Sequence, residues 1–158
     1  MSQARFQSFE AFFPYYLGEH RNPTCRALHF VGTAGFFGTF AYFLARDPLG
    51  FGPPFAAMVI LGAIGNVIER KRNAAPVFLV IVAVGVWSQP WLLLGVVWAY
   101  FFAWLGHFKV EHNKPATFTY PLWSLLGDFR MWGLMAMGKL WTGDPLEELG
   151  LSVPEPEA

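Results

Sequence analysis

Long apolar stretches separated by short polar runs dominate the middle of the chain. Four segments, at 27–45, 51–68, 76–87 and 91–105, contain no Asp, Glu, Lys or Arg. As helices rising 1.5 Å per residue, the first two are long enough to cross a hydrocarbon layer of roughly 30 Å. The pattern predicts an all-α membrane protein with four transmembrane helices.

The last two apolar segments are short for complete spans, and two arrangements are compatible with them. One is a tight helical hairpin. The other is a single kinked helix of about 30 residues, close to 45 Å long at the helical rise. Ser88-Gln89-Pro90 separates the segments, and a polar break that contains proline favours the hairpin.

Amphipathic segments flank the apolar region on both sides. Phe6, Phe9 and Phe13 share one helical face, which predicts a short N-terminal helix in the membrane interface. A second amphipathic pattern follows the last apolar segment. It carries Asp128 and Arg130 on its polar faces and predicts an interfacial C-terminal helix.

The end of the chain differs from the rest in composition. Residues 143–158 are acidic and contain three prolines, which is typical of a mobile terminus. We therefore predict a membrane-embedded helical domain at 1–142 and a mobile acidic tail at 143–158.

Positive charge is distributed unevenly across the predicted spans. With four spans, ten of the eleven Lys and Arg residues fall on one side of the membrane and Arg46 falls on the other. The positive-inside rule then places both termini in the cytoplasm. A three-span arrangement would send the last four cations to the opposite side, so the charge distribution supports four spans.

Composition excludes several classes of protein. The hydrophobic fraction is 54% and the charged fraction 14%, whereas soluble domains carry about 25% charged residues. The net charge is zero and no basic tail is present, so nothing indicates nucleic acid as a partner. One cysteine excludes an intramolecular disulfide and a CxxC metal site. Neither a GxSxG elbow nor a phosphate-binding P-loop occurs in the sequence.

The four histidines carry the candidate chemistry, because the predicted topology brings all of them to the cytoplasmic side. They are His20, His29, His107 and His112. Neutral imidazole suits iron, zinc and copper. Two ligand sets are compatible with the spacing: His20, His29 and His107 with Glu111, or all four imidazoles. Histidines that only form hydrogen bonds at the membrane interface remain an equal alternative on spacing alone.

Two motifs resemble a known family. The first, YLGEHRNPTCRALHFVG at 16–32, contains H-R-N-P followed by a second His. The second, GHFKVEHNKPATF at 106–118, fits G-H-x-x-x-E-x-x-x-P-A, and Tyr-Pro-Leu-Trp-Ser follows at 120–124. Both resemble the small membrane-protein family that includes the fungal 2-hydroxy fatty acid dioxygenase. The resemblance covers most of residues 6–140.

The resemblance implies an Fe(II)-dependent dioxygenase that works without 2-oxoglutarate. Such an enzyme would take a 2-hydroxy fatty acid and O₂ and yield the acid one carbon shorter, in fatty acid α-oxidation. By position, His20, His29 and His107 match the family histidines, and Glu111 matches the family acidic residue. His112 stands where lysine is commoner, which makes it the weakest of the four metal candidates.

The same resemblance suggests further roles near the metal. Glu111 is expected in the catalytic site, as a ligand or as a partner that fixes a histidine tautomer, and Asn22 as a similar partner. Three cations could orient a substrate carboxylate or simply contact lipid headgroups: Arg21, Arg26 and Lys109. Cys25 replaces a usual asparagine and Ala103 a glutamine of the fungal branch, differences that concern the substrate more than the fold.

The leading hypothesis is therefore a membrane-embedded Fe(II) dioxygenase acting on a lipid or fatty acid. A non-catalytic membrane protein that binds lipid, haem or metal through its histidines is the alternative, and a zinc-dependent hydrolase is a third. We expect localisation in a bacterial inner membrane, and an oligomer is compatible with this architecture.

Overall fold

The computed structural model describes residues 5–153, and over this range it contains helices and no strand. The elements are α1 (Phe9–Gly18), α2 (Pro23–Arg46), α3 (Pro48–Glu69), α4 (Ala75–Ser88), α5 (Leu92–Leu105), a π-helical segment (Gly106–Glu111), a 3₁₀ turn (Ala116–Phe118), α6 (Pro121–Ala136) and α7 (Pro145–Leu149). The prediction of an all-α protein is confirmed.

Three helices are long and apolar enough to cross a membrane: α2, α3, and α5 together with its π-helical continuation to Glu111. Large hydrophobic side chains on these helices are exposed, among them Ile60, Leu94 and Phe101, which is expected of a surface that faces lipid. The chain is therefore associated with a membrane. Helix α4 has 14 residues, about 21 Å at the helical rise, so four complete spans are not established.

Proline and a capping side chain define where the long helices begin. Asn22 is the N-cap of α2, and its side-chain oxygen accepts a hydrogen bond of 2.9 Å from the amide of Thr24. Asp47 caps α3 in the same way, through the amide of Gly50. Both helices have proline as their first residue, where the missing N–H costs nothing.

Helices α4 and α5 form an antiparallel hairpin. Gly85 of α4 lies against Leu92 at the start of α5, and the ring of Phe78 lies 6.5 Å from that of Tyr100, near the other end. The hairpin prediction is confirmed, and the single kinked helix is wrong. Each helix has its larger interface elsewhere, because α4 packs mainly on α3 and α5 mainly on α2.

The closest helix pair is α2 and α5, which run antiparallel. A Cβ added to Gly32 would lie 3.1 Å from the carbonyl oxygen of Ala99, so the absence of a side chain lets the two backbones approach. Close approach at small residues is a usual basis of helix association in membranes. This pairing places the start of α2 beside the end of α5.

Helices α1, α6 and α7 pack together at the end of the bundle where α2 begins. Their shared core is largely aromatic and includes Phe12, Phe13, Tyr16, Tyr120 and Trp123. The interfacial position of α1 and α6 stays a prediction, because their contacts are with one another and with the bundle.

Glu69 ties three helices together at this end. Its buried carboxylate accepts hydrogen bonds from the first amides of α6, at 2.7 Å from Leu122 and 3.1 Å from Trp123, and from the amide of Ala74 before α4. A carboxylate suits a helix N-terminus because it satisfies free amides and complements the helix dipole. Glu69 thereby fixes α6 relative to the bundle.

The C-terminal segment is partly helical. Asp144 caps α7, Pro145 is buried, and Leu146 belongs to the core that α7 shares with α1 and α6. Residues 154–158, the remainder of the predicted mobile tail, lie outside the described residues. The domain boundary at 142 stays a prediction.

Candidate metal centre

Three buried histidines meet where α2 begins and α5 ends. His20 precedes α2, His29 lies on its second turn, and His107 belongs to the π-helical segment. One ring nitrogen of each lies within 4.8 Å of the others. The ring centroids are 4.5 Å apart for His20 and His29, 4.6 Å for His20 and His107, and 5.1 Å for His29 and His107.

A local departure from α-helix accompanies His107. From Gly106 to Glu111 the chain is π-helical, a conformation that is rare and frequent at functional sites. A Cβ on Gly106 would lie 2.8 Å from the sulfur of Cys25, so only glycine allows α5 to end this close to α2. His107 consequently faces the two histidines of the N-terminal motif.

Each histidine is oriented by an acceptor at its Nδ1 atom. The partners are the carbonyl oxygen of Tyr16 for His20, at 2.6 Å, the Asp128 carboxylate for His29, at 2.9 Å, and the Asn113 side-chain oxygen for His107, at 2.7 Å. The Asn113 amide nitrogen donates in turn to Glu19, which fixes its orientation. Because the three partners accept, we assign the proton of each ring to Nδ1.

The opposite ring nitrogens carry a free lone pair. Within residues 5–153, the Nε2 atoms of His20 and His29 are buried and have no hydrogen-bond partner. A buried imidazole nitrogen without a partner is costly in the absence of a ligand. Metal-binding histidines show this arrangement, with one nitrogen on the metal and the other donating to a carboxylate, carbonyl or water.

Electrostatics favours neutral imidazole at His20. Burial, together with the neighbouring imidazoles of His29 and His107, lowers the pKa of His20 well below its ordinary value. Neutral imidazole is the form that binds metal. Three imidazoles, two from the N-terminal motif and one from the π-helical segment, fit a metal ion such as iron, zinc or copper, and they leave coordination positions open.

The predicted catalytic partners lie beside the cluster. The Glu111 carboxylate accepts a hydrogen bond of 2.6 Å from the backbone amide of Asn22, and the Asn22 side chain caps α2. These contacts join the end of the π-helical segment to the start of α2. Glu111 and Asn22 thus hold the two histidine-bearing segments together, and their catalytic roles stay predictions.

His112 lies apart from the other histidines. It is exposed, and it ends the π-helical segment in a left-handed conformation with φ of 55°. The cluster found among the described residues contains His20, His29 and His107 without it. The structure therefore brings together three imidazoles of the predicted four.

The three predicted carboxylate-binding cations occupy different environments. Arg26 is fully buried, and its five N–H donors bond the carbonyl oxygens of His20, Arg21, Leu140, Thr142 and Gly143. It has no donor left for a substrate, so its role is to join α2 to the C-terminal segment. Arg21 is exposed and pairs with Asp144 at 3.4 Å, and Lys109 is exposed on the π-helical segment.

Sequence reasoning missed the partners that orient the histidines. The amphipathic pattern places Asp128 on a polar helix face, yet in the structure it contacts His29 and accepts a 3.1 Å hydrogen bond from the Tyr16 hydroxyl. Asn113 follows His107 by six residues, a spacing that brings them together only because the helix widens to a π-turn. Tyr16 precedes His20 by four residues, and this spacing is the one feature of the sequence that indicates a partner for a histidine.

An apolar cavity of about 110 Å³ adjoins the histidines. His29, His107, Asp128 and Ser124 line one end, and helices α2 to α6 contribute its walls. Phe40, Met58, Gly85 and Leu92 line the far end. Along α2 the eleven residues from His29 to Phe40 correspond to about 16 Å, so the cavity extends well into the membrane-spanning part.

Comparison with known proteins agrees with this geometry. The sequence model of the family described as 2-hydroxy-palmitic acid dioxygenase Mpo1-like matches residues 6–140. No curated protein and no solved structure matches the chain. The match covers both histidine motifs and every span, and the chain belongs to the Mpo1-like family.

Proposed function

We propose that this chain is a membrane-embedded Fe(II)-dependent dioxygenase that shortens a 2-hydroxy fatty acid, or a related lipid, by one carbon. The observation that carries the proposal is the cluster of His20, His29 and His107. Among residues 5–153 the buried Nε2 atoms of His20 and His29 have no hydrogen-bond partner, and His29 and His107 line one end of an apolar cavity. The dioxygenase description of the family favours iron, with O₂ as the co-substrate, over the other metals that imidazole binds.

His20, His29 and His107 would hold the metal through Nε2. When bound, Fe(II) supplies the redox chemistry with O₂, at positions that the three imidazoles leave open. The chain's own contribution is orientation. Tyr16, Asn113 and Asp128 hold the Nδ1 protons and so keep each Nε2 lone pair directed into the cluster.

The proposed reaction needs no second reductant. A 2-hydroxy acid and O₂ give the acid one carbon shorter, CO₂ and water, with cleavage of the bond between the carboxyl carbon and the hydroxyl-bearing carbon. The substrate loses four electrons and O₂ gains four, so electrons and atoms balance. The reaction therefore requires a metal at the histidines but no separate reducing cofactor.

The cavity supports a substrate with a long apolar chain. Its far wall is formed by aliphatic and aromatic side chains from α2, α3, α4 and α5. Helix α4 packs mainly on α3, and α5 mainly on α2, so the seam between α4 and α5 is the proposed entrance for lipid. An acyl chain would enter sideways along this seam without crossing water, past the cavity-lining residues Phe78 and Tyr100 at the histidine end.

Elemental analysis of purified protein tests the metal assignment. Protein prepared without oxygen and supplied with Fe(II) should hold about one iron per chain, and His107→Ala should lose it. His112→Ala is the matched control, because His112 is exposed on the same segment and lies outside the cluster. Wild type should then consume O₂ when given 2-hydroxyhexadecanoic acid.

Three results would contradict this proposal. Wild type that binds no iron under these conditions would exclude the dioxygenase. Bound zinc with O₂-independent hydrolysis would support the zinc enzyme, and bound metal without turnover would support a binding protein.

We also propose a four-span topology in a bacterial inner membrane, with both termini in the cytoplasm. The antiparallel arrangement of α4 and α5 supports it, because α4 carries the chain from the histidine end to the opposite end. Ten of the eleven Lys and Arg residues then share one side. A C-terminal fusion to a reporter that is active only in the cytoplasm should be active, and an inactive reporter would overturn this orientation.

A further inference from the structure

Ser124 is a buried polar residue that the proposed metal site leaves unused. It lies on the first turn of α6, its backbone amide donates to the carbonyl of Tyr120 at 2.8 Å, and its side chain lines the cavity. The residue is only 8% exposed. Its hydroxyl oxygen has no hydrogen-bond partner among residues 5–153.

A buried hydroxyl without a partner is unfavourable, since it loses its bonds to water and gains none. Alanine would fill nearly the same space without that cost. The unpaired hydroxyl therefore indicates a ligand group that completes its hydrogen bonding when the cavity is filled.

The position of Ser124 indicates which part of a ligand it meets. Asp128 follows it by four residues, so the two side chains share a face of α6, and Asp128 contacts His29 directly. Both line the end of the cavity that also contains His107. Ser124 consequently faces the polar head of any acyl chain whose tail extends toward Met58 and Leu92.

We propose that Ser124 donates a hydrogen bond to the carboxylate of a fatty acid bound in the cavity. This inference rests on the proposed function, which places a fatty acid there. A hydroxyl group can donate to a carboxylate oxygen, whereas the nearby Asp128 can only accept when ionised and already contacts His29 and Tyr16. Arg26 has all its donors occupied, so a neutral donor takes the role that was predicted for this cation.

Binding of two labelled acids to metal-free protein tests the proposal. In metal-free protein the acid cannot chelate a metal ion, so the contribution of the Ser124 hydrogen bond to binding affinity can be measured by itself. The probes are hexadecanoic acid and 2-hydroxyhexadecanoic acid, which share the carboxylate and differ in the hydroxyl. Ser124→Ala should weaken both by the same factor, roughly 10- to 100-fold for one hydrogen bond to a charged group.

Two further variants separate binding from folding. Ser124→Cys keeps the volume but is a weak donor, so it should weaken binding as well. Ser88→Ala is the matched control, because Ser88 donates to the carbonyl of Gly85 and is not part of the cavity wall. It should bind both acids like wild type. All three variants should retain the wild-type amount of iron when Fe(II) is supplied.

Each other outcome overturns the proposal in an identifiable way. Unchanged binding of both acids by Ser124→Ala would make Ser124 a packing residue and leave the proposed function intact. Weakened binding of the 2-hydroxy acid alone would assign Ser124 to the substrate hydroxyl instead of the carboxylate. If wild type binds neither acid, the fatty-acid substrate and the role of Ser124 fail together.

Discussion

The two ends of the cavity are built on different physical principles. At the histidine end, three imidazoles are each held by one directed hydrogen bond between 2.6 and 2.9 Å. At the far end Phe40, Met58, Gly85 and Leu92 contribute only apolar surface, which has no preferred direction. Directed bonds fix atoms for chemistry, whereas apolar packing fixes only size and shape. In the proposed dioxygenase, the first end would hold the reacting groups and the second would select the chain length of the substrate.

The largest effect is expected from removal of a histidine at the first end. His29→Ala should lose the metal and all activity, because it removes one of three imidazole ligands and the remaining two are too few to hold the metal. The activity loss should exceed the roughly 10- to 100-fold cost of losing a partner that only orients a ligand. Iron content and O₂ consumption would be measured together. Full iron content in His29→Ala would remove this residue from the metal site.

Asp128→Asn tests whether the orientation of His29 affects metal affinity when the histidine itself is retained. An amide can replace the carboxylate in size, but it weakens the bond to His29 and gives up the negative charge. We expect metal affinity to fall about 10- to 100-fold, measured by competition with a chelator. Glu10→Gln is a suitable control, because Glu10 is an exposed carboxylate that pairs with Arg130. Equal affinities for both variants would contradict the role of Asp128.

Substitutions of Arg26 and Arg21 compare how much a buried and an exposed cation contribute to stability. Both residues lie close to His20 in the sequence. Arg26→Ala leaves five carbonyl oxygens without their donor and should lower the free energy of unfolding by at least about 3 kcal/mol. Arg21→Ala breaks one ion pair, in which the arginine side chain is 60% exposed, and should cost less than about 1 kcal/mol. Thermal unfolding in detergent measures both. Similar unfolding temperatures for the two variants would contradict this comparison.

The smallest and most selective effect is expected at the apolar end. Met58→Ala should shift the preferred acyl chain toward longer acids, by roughly tenfold in relative specificity, without loss of iron. Val59→Ala is the matched control, since Val59 is 58% exposed on the same helix, away from the cavity. Turnover of 2-hydroxy acids of increasing length would be compared. An unchanged preference for acyl chain length would show that the apolar end of the cavity does not select it.

Some features of the site could be predicted from the sequence and others could not. His20, His29 and His107 stand in motifs at the ends of predicted spans, so topology alone indicated that they share one membrane depth. His112 has the same chemistry but lies outside the cluster, because the chain turns into a left-handed conformation at this residue. Arg26 looked like a substrate-binding cation, although its donors are used by carbonyl groups up to 117 residues away.

The sequence by itself determined the helical class, the membrane association, the break between α4 and α5, and the three histidines. These follow from local patterns: runs of apolar residues, a proline in a polar break, and motifs at span ends. Only the tertiary structure decided which atoms complete the site. Asp128 lies 99 residues from His29, Asn113 reaches His107 through a π-turn, and Glu69 caps a helix 53 residues further on. Hydrogen bonds depend on positions within a few tenths of an ångström, and those positions are set by the packing of the whole chain.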